Sequence, residues 1–197
     1  MITQSLLRKA LLSLCLLWLA GCQTAPTPAE LPRELRSSSV VSTSARSFDP
    51  QPGSRIRWRS DIAVHATTGT PDDTTTLTYI RQQLEYRLQD KGYVWVADGQ
   101  PVDYLVQGLI VVGTELNETA LRDILGFDPG LATGDTAYQT GTLLLLLINP
   151  DNRQTEWRSA VEILTAPELA EDLRQQRIQY GINSLLRPLP DARPRQP

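Results

Sequence analysis

Apolar and polar residues change period several times along this chain, and each change marks an element. Ile56 and Trp58 alternate with arginines from Arg55 to Trp58, and Ile62 to Ala66 alternates again, a period of two that predicts strands. Leu77, Ile80, Leu84 and Leu88 then recur at helical spacing, forming one stripe of a helix. Asp72, Asp73 and Thr74 offer caps at its start, and Gly92 stands where a left-handed residue closes a helix. Tyr93 to Val96 reads as a strand, residues 97–101 as a turn, and Tyr104 to Val112 as a longer apolar strand. Gly141 to Ile148 is nearly all apolar, and Asn149-Pro150-Asp151-Asn152 turns it back into Thr155 to Ile163. A last helix is predicted from about Pro167 to Arg187, with Ile178, Ile182 and Leu185 on one face and Leu169 and Leu173 on another. This order predicts an α+β two-layer sandwich: a mostly antiparallel sheet of about four to six strands with two main helices on one face.

Leu143 to Ile148 breaks the simple pattern. A strand with one wet face alternates, and this one is apolar on both. In a two-layer sandwich the helices cover one face, so something else covers the other. Three covers are open: the intervening residues Leu116 to Tyr138 folded over it, a second protomer that would make a homodimer, or an apolar ligand such as lipid. Inside that insertion Asn117-Glu118-Thr119 reads as a helix start, with Leu121, Ile124 and Leu125 as an apolar edge.

The two ends of the chain lack such periodicity. Arg8 and Lys9 precede an apolar run from Ala10 to Ala20, too short for a bilayer span of about 20 residues. Leu19-Ala20-Gly21-Cys22 follows, and it resembles the lipobox of bacterial lipoproteins, in which the cysteine sulfur receives diacylglycerol and the chain is cut before it. On that resemblance residues 1–21 are a signal peptide, Cys15 leaves with it, and Cys22 is the lipidated residue. The mature chain then has neither free thiol nor disulfide. Gln23, rather than the Asp common to inner-membrane retention, implies the outer membrane of a Gram-negative bacterium, with the domain facing the periplasm. Membrane lipid is the first expected partner, through acylated Cys22. Residues 22–52 carry Pro26, Pro28, Pro32, Pro50 and Pro52 among Ser, Thr and Ala. They read as a tether with a reach of roughly 30 Å, in which Val40-Val41 adds a short strand or docks on the domain. Residues 53–188 form a single α+β domain, and 189–197 a frayed, disordered tail rich in proline.

Charge and composition narrow the function further. Nineteen basic and 22 acidic side chains give a net charge of −3, and losing Arg8 and Lys9 with the signal peptide makes the mature chain more acidic. Binding a phosphate backbone needs clustered cations, so nucleic acid is excluded as a partner. His65 is the single histidine; on a predicted strand before a polar turn it reads as a surface residue, not a base or ligand. Serines and threonines lack a G-x-S-x-G elbow or an S-x-x-K pattern. Gly126, Gly130 and Gly134 punctuate a loop without the strand, the Lys-Ser/Thr pair and the helix that a phosphate cradle needs. Asp123, Asp128 and Asp135 match no EF-hand spacing. No catalytic residue, metal ligand or cofactor is assigned. Trp58 and Trp157 read as core or sheet-edge packing, and Arg158 as a solvated strand residue.

A resemblance emerges from the order of these features. A lipobox, a Pro-rich tether, a strand ending in Trp58 and a helix closing with Lys91-Gly92-Tyr93 come first. Asp103-Tyr104-Leu105-Val106, Gly141-Thr142-Leu143, Glu156-Trp157-Arg158-Ser159 and a final helix ending at Pro188 follow. Together they resemble the bacterial lipoproteins of the domain of unknown function 4136 (DUF4136) family, from roughly Val40 to Pro190. Two residues depart from that pattern. Members often carry an acidic residue in the strand after Gly-Thr-Leu, where this chain has Leu146, and a glycine after Trp-Arg, where it has Ser159. The resemblance implies no activity, cofactor or catalytic residue. The expected function is a non-enzymatic binding or accessory module of the cell envelope, tethered where it meets partners, an envelope protein among them, at high effective concentration. The alternative is a carrier of an apolar ligand or lipid on the second face of the sheet.

Overall fold

The alternation at Arg55 and the leucine run after Gly141 become strands of the same sheet. The computed structural model describes residues 39–66, 74–112, 116–130, 137–138, 141–162 and 170–194. Their order is β1 (Val40–Ser44), β2 (Arg55–Trp58), β3 (Ala63–Ala66), α1 (Thr74–Asp90), β4 (Val94–Trp95), β5 (Tyr104–Val112) and β6 (Leu116–Asn117). There follow α2 (Glu118–Leu125), β7 (Ala137–Tyr138), β8 (Thr142–Ile148), β9 (Thr155–Glu162) and α3 (Glu171–Leu186). Seven strands form the main sheet in the order β1-β9-β8-β5-β2-β4, with β3 also paired to β5. From β1 to β5 all neighbours are antiparallel, whereas β2 and β3 run parallel to β5 and β4 parallel to β2. The described part of the insertion adds a short antiparallel β6–β7 pair.

The α+β sandwich read from the sequence is the observed architecture. Ile80, Leu84 and Leu88 of α1 and Ile178, Ile182 and Leu185 of α3 bury against Ile56, Val106, Leu143, Leu145, Leu147, Trp157 and Val161 of the sheet. Spacing decides this, since i, i+4 and i+8 side chains share one side of a helix. Gly92 closes α1 as expected: at φ +94 its N–H donates to the Gln89 carbonyl while Tyr93 N–H donates to Leu88, the paired bonds of a Schellman motif. Asp72, Asp73, Pro167 and Leu169 lie outside the described residues.

Of the two readings of Val40-Val41 the short strand is the one observed, and the C-terminal end departs from expectation. The stretch read as tether to residue 52 already contains β1, which pairs with β9 from Val40↔Val161 to Ser44↔Trp157. Its β-branched, uncharged residues suit a sheet edge, Phe48 meets Tyr104 edge-on with ring centroids 5.4 Å apart, and Pro50 is buried. At the other end, the described part of the tail expected to fray from residue 189 is docked. Leu189 and Ala192 are fully buried, Ala192 N–H donates to the Lys91 carbonyl at 2.8 Å, and Gly53 N–H donates to the Ala192 carbonyl at 2.9 Å. Tyr93 Oη donates to the Pro190 carbonyl at 3.0 Å, and burial pushes that hydroxyl's pKa up. Lys91–Asp191 and Arg193–Asp90 pairs flank the contact. Prolines stop a helix here, but they do not stop two apolar side chains from filling a groove.

Candidate functional site

Along β8 the leucines alternate sides. Leu143, Leu145 and Leu147 face the helices, while Leu144, Leu146 and Ile148 join Leu109 and Val111 of β5 and Ala160 of β9 on the second face. Leu116, Leu121 and Leu125 bury themselves on that face, with Ile124 and Phe127 packed at the margin. Of the three covers open to the sequence, the insertion is the one observed. Its helix forms for local reasons. Asn117, extended at φ −89 and ψ 172, accepts a hydrogen bond from Ala120 N–H at 2.9 Å, and Gly126 at φ +69 ends the helix by donating to the Arg122 carbonyl. Eight residues are too few to hold a helix in water alone, so its stability comes from the leucines it buries. Asn117→Ala is expected to cost about 1 kcal/mol, read as a fall of about 3 °C in the melting temperature.

Two arginines clamp this cap. Arg158 is 4% exposed and projects from β9 beneath α2. Its Nη1 donates to Glu118 Oε2 at 3.2 Å and to the Gly130 carbonyl at 2.7 Å, and its Nη2 donates to Glu118 Oε1. Arg59 holds the other end: Nη1 donates to the Leu125 carbonyl at 3.5 Å and to Gln107 Oε1 at 3.3 Å, with the guanidinium 4.5 Å from the Phe127 ring centroid. An acidic side chain thus sits at the N-terminus of α2 and a cation at its last carbonyls, both favourable to the helix dipole. Buried Gln107 is satisfied by Ser60 Oγ at 2.9 Å and by donating to the Gly108 carbonyl at 3.0 Å.

Arg158 is therefore not the solvated residue expected from its sequence. Strand β9 is enclosed on both faces once the insertion closes, and a charge there needs a partner. Its cross-strand neighbour is Leu146, so the balancing carboxylate comes from the cap and not from the next strand. Removing either partner should differ in cost. Glu118→Leu strands a buried guanidinium and should lose about 3 kcal/mol or more. Arg158→Met leaves a carboxylate whose side chain is 22% exposed and can rehydrate, so it should lose less. The double substitution should recover stability to within about 1.5 kcal/mol of the parent in urea unfolding.

The other residues singled out do not converge. Cys22, Gly134 and Asp135 lie outside the described residues. His65 is half-buried on β3 beside Val111. Asp123 is exposed, and Asp128 pairs with Arg122 at 3.7 Å while accepting from Gly130 N–H at 3.0 Å, which makes it a turn residue. Among the described residues no group of three or more His, Cys, Asp or Glu is placed to hold a metal ion. Trp157 is core; Trp58 stacks on Trp95 at 5.4 Å, and both indole N–H groups donate to Glu85, at 2.7 Å to its carboxylate and 3.1 Å to its carbonyl. A cleft of about 370 Å³ lies between the first halves of α1 and α3, walled by Thr75, Tyr79, Gln82, Glu171 and Gln175. It is open to solvent, unlike the enclosed pockets of most ligand sites. No described helix is long and apolar enough to cross a membrane.

No model of a known family matches the sequence, and no curated protein matches it. Among solved structures, a DUF4136 family protein from Bacteroides thetaiotaomicron superimposes with a TM-score of 0.53 at 14% identity, over 75% of this chain and 95% of that one. The chain has the DUF4136 fold. The subunit of the PelC dodecamer from Paraburkholderia phytofirmans also matches, with a TM-score of 0.47 at 14% identity over 81% of this chain and all of that one. At these identities the DUF4136 likeness is one of fold, and it agrees with the family resemblance in the sequence.

Proposed function

We propose that this protein is an outer-membrane lipoprotein whose periplasmic DUF4136-fold domain acts as a non-enzymatic binding or accessory module of the cell envelope. The observation that carries the reading is Leu19-Ala20-Gly21-Cys22, placed after Arg8-Lys9 and an apolar run and ahead of a Pro-rich stretch. The first described element, β1, begins only 18 positions after Cys22. Acyl chains at Cys22 would fix the domain to the membrane, since each buried methylene contributes about 0.8 kcal/mol. A tether of that length gives an r.m.s. reach of roughly 25 Å, which keeps the domain near the bilayer and among membrane-fixed partners. Crosslinking of the acylated protein in intact cells, followed by identification of what co-purifies after solubilisation, tests the module reading. A recurrent envelope protein is the expected result. A chain that crosslinks to nothing and turns over a substrate would contradict it.

A further inference from the structure

We propose that the sheet face beneath the cap is a binding site for an anionic amphiphile, held shut by the protein's own Glu118 carboxylate. The face sets Arg158 beside an apolar field, with Gln107 and Arg59 at the far end of the cap helix. Arg158 stands on β9, and from it Leu146 and Leu144 on β8 and Leu109 on β5 continue across the sheet. An anionic head with a hydrocarbon tail has that same layout. Glu118 already occupies the head position, meeting both Arg158 Nη atoms, while Leu121 and Leu125 occupy the tail position. The cap thus imitates the ligand it would yield to.

Three features favour a site over a purely structural contact. A buried ion pair holds two elements together no better than apolar residues of similar volume would, so its charge is dispensable for stability alone. Glu118 is reached by solvent, its side chain being 22% exposed, so an incoming carboxylate or phosphate can compete for Arg158 from the surface. The helix of the cap is held by the leucines it buries and not by its own length, so displacing Leu121 and Leu125 releases it by local unfolding while the sheet stays intact. On exchange the ligand's anion replaces the Glu118 carboxylate on Arg158, its tail replaces Leu121 and Leu125 on the leucine field, and Glu118 passes to water. A fatty-acid carboxylate and a lysophospholipid phosphate share the required chemistry. The site belongs to the domain and does not depend on an anchor at Cys22.

The test uses the chain from Cys22 onward with Cys22→Ser, purified without detergent, and cis-parinaric acid as fluorescent probe. Palmitate, palmitoyl-lysophosphatidylglycerol and neutral hexadecanol serve as competitors. The parent should bind the probe and prefer either anionic competitor to hexadecanol; whichever anion displaces at lower concentration identifies the source. Glu118→Gln removes the competing charge and should tighten binding about tenfold, equivalent to about 1.4 kcal/mol. Arg158→Met should abolish the preference for anions. Hydrogen exchange of the parent gives a readout independent of any variant: amides of residues 121–125 should lose protection when palmitate is added, while those of β8 keep theirs. Absence of probe binding in both parent and Glu118→Gln, or binding indifferent to Glu118, would overturn the proposal. So would α2 amides that exchange only through global unfolding with palmitate present.

Discussion

Gly92→Ala is expected to destabilise the protein by about 3 kcal/mol or more, lowering its melting temperature by about 10 °C. Two costs add at this position. Its φ of +94 is one that a residue with a side chain adopts only under strain, and a Cβ built there lies 2.4 Å from the Ala192 carbonyl oxygen and 2.7 Å from its carbon. Both neighbours are backbone, held by hydrogen bonds to Lys91 and Gly53, so they cannot swing aside as a flexible side chain would. The docked tail must lift, exposing Leu189 and Ala192. Gly99→Ala isolates the first cost: φ is +80, but nothing lies within 4 Å of the added atom. It should lose only about 1–2 kcal/mol. Equal thermal shifts for the two variants would mean that residues 189–192 do not dock against Gly92.

Replacing Leu144 and Leu146 together with threonine should cost about 5 kcal/mol or more, comparable to the entire stability of many domains. Both side chains are fully buried between sheet and cap. Each substitution removes apolar volume and places a hydroxyl inside the buried face, where Leu144 aligns with Leu109 and Ala160, and Leu146 with Gln107 and Arg158. Val41 supplies the control, because it aligns with Ala160 and Leu144 on the same face yet is 48% exposed at the edge beyond the cap. Val41→Thr should change stability by less than about 0.5 kcal/mol. Circular dichroism melts decide between the two: a double variant as stable as Val41→Thr would mean that the second face is wet and the cap does not close on it.

Much of this fold is legible because the decisive interactions are local. The stripe from Leu77 to Leu88 and the Gly92 cap define α1, and Asn117 and Gly126 bracket α2. The run from Leu143 to Ile148, apolar on both sides, predicts a covered second face, and that face is buried. What stays hidden depends on partners distant in sequence. Arg158 meets a carboxylate 40 residues away, and its burial follows only from the rule that a strand beside a doubly buried strand is enclosed as well. Phe48, Leu189 and Ala192 are isolated apolar residues close to prolines, and the surfaces they pack on exist only once the domain has folded. Parallel pairing of β2 and β3 with β5 leaves no trace in periodicity, since alternation is the same in either direction.

The envelope-module reading hangs on the fate of Cys22. The direct measurement is the intact mass of the protein extracted from purified outer membranes, with a Cys22→Ala variant in parallel. The account expects a polypeptide beginning at Cys22 whose excess mass is that of covalent acyl chains, and a variant that is neither cleaved there nor acylated. An unmodified chain, or one that begins elsewhere and stays soluble after lysis, would contradict it.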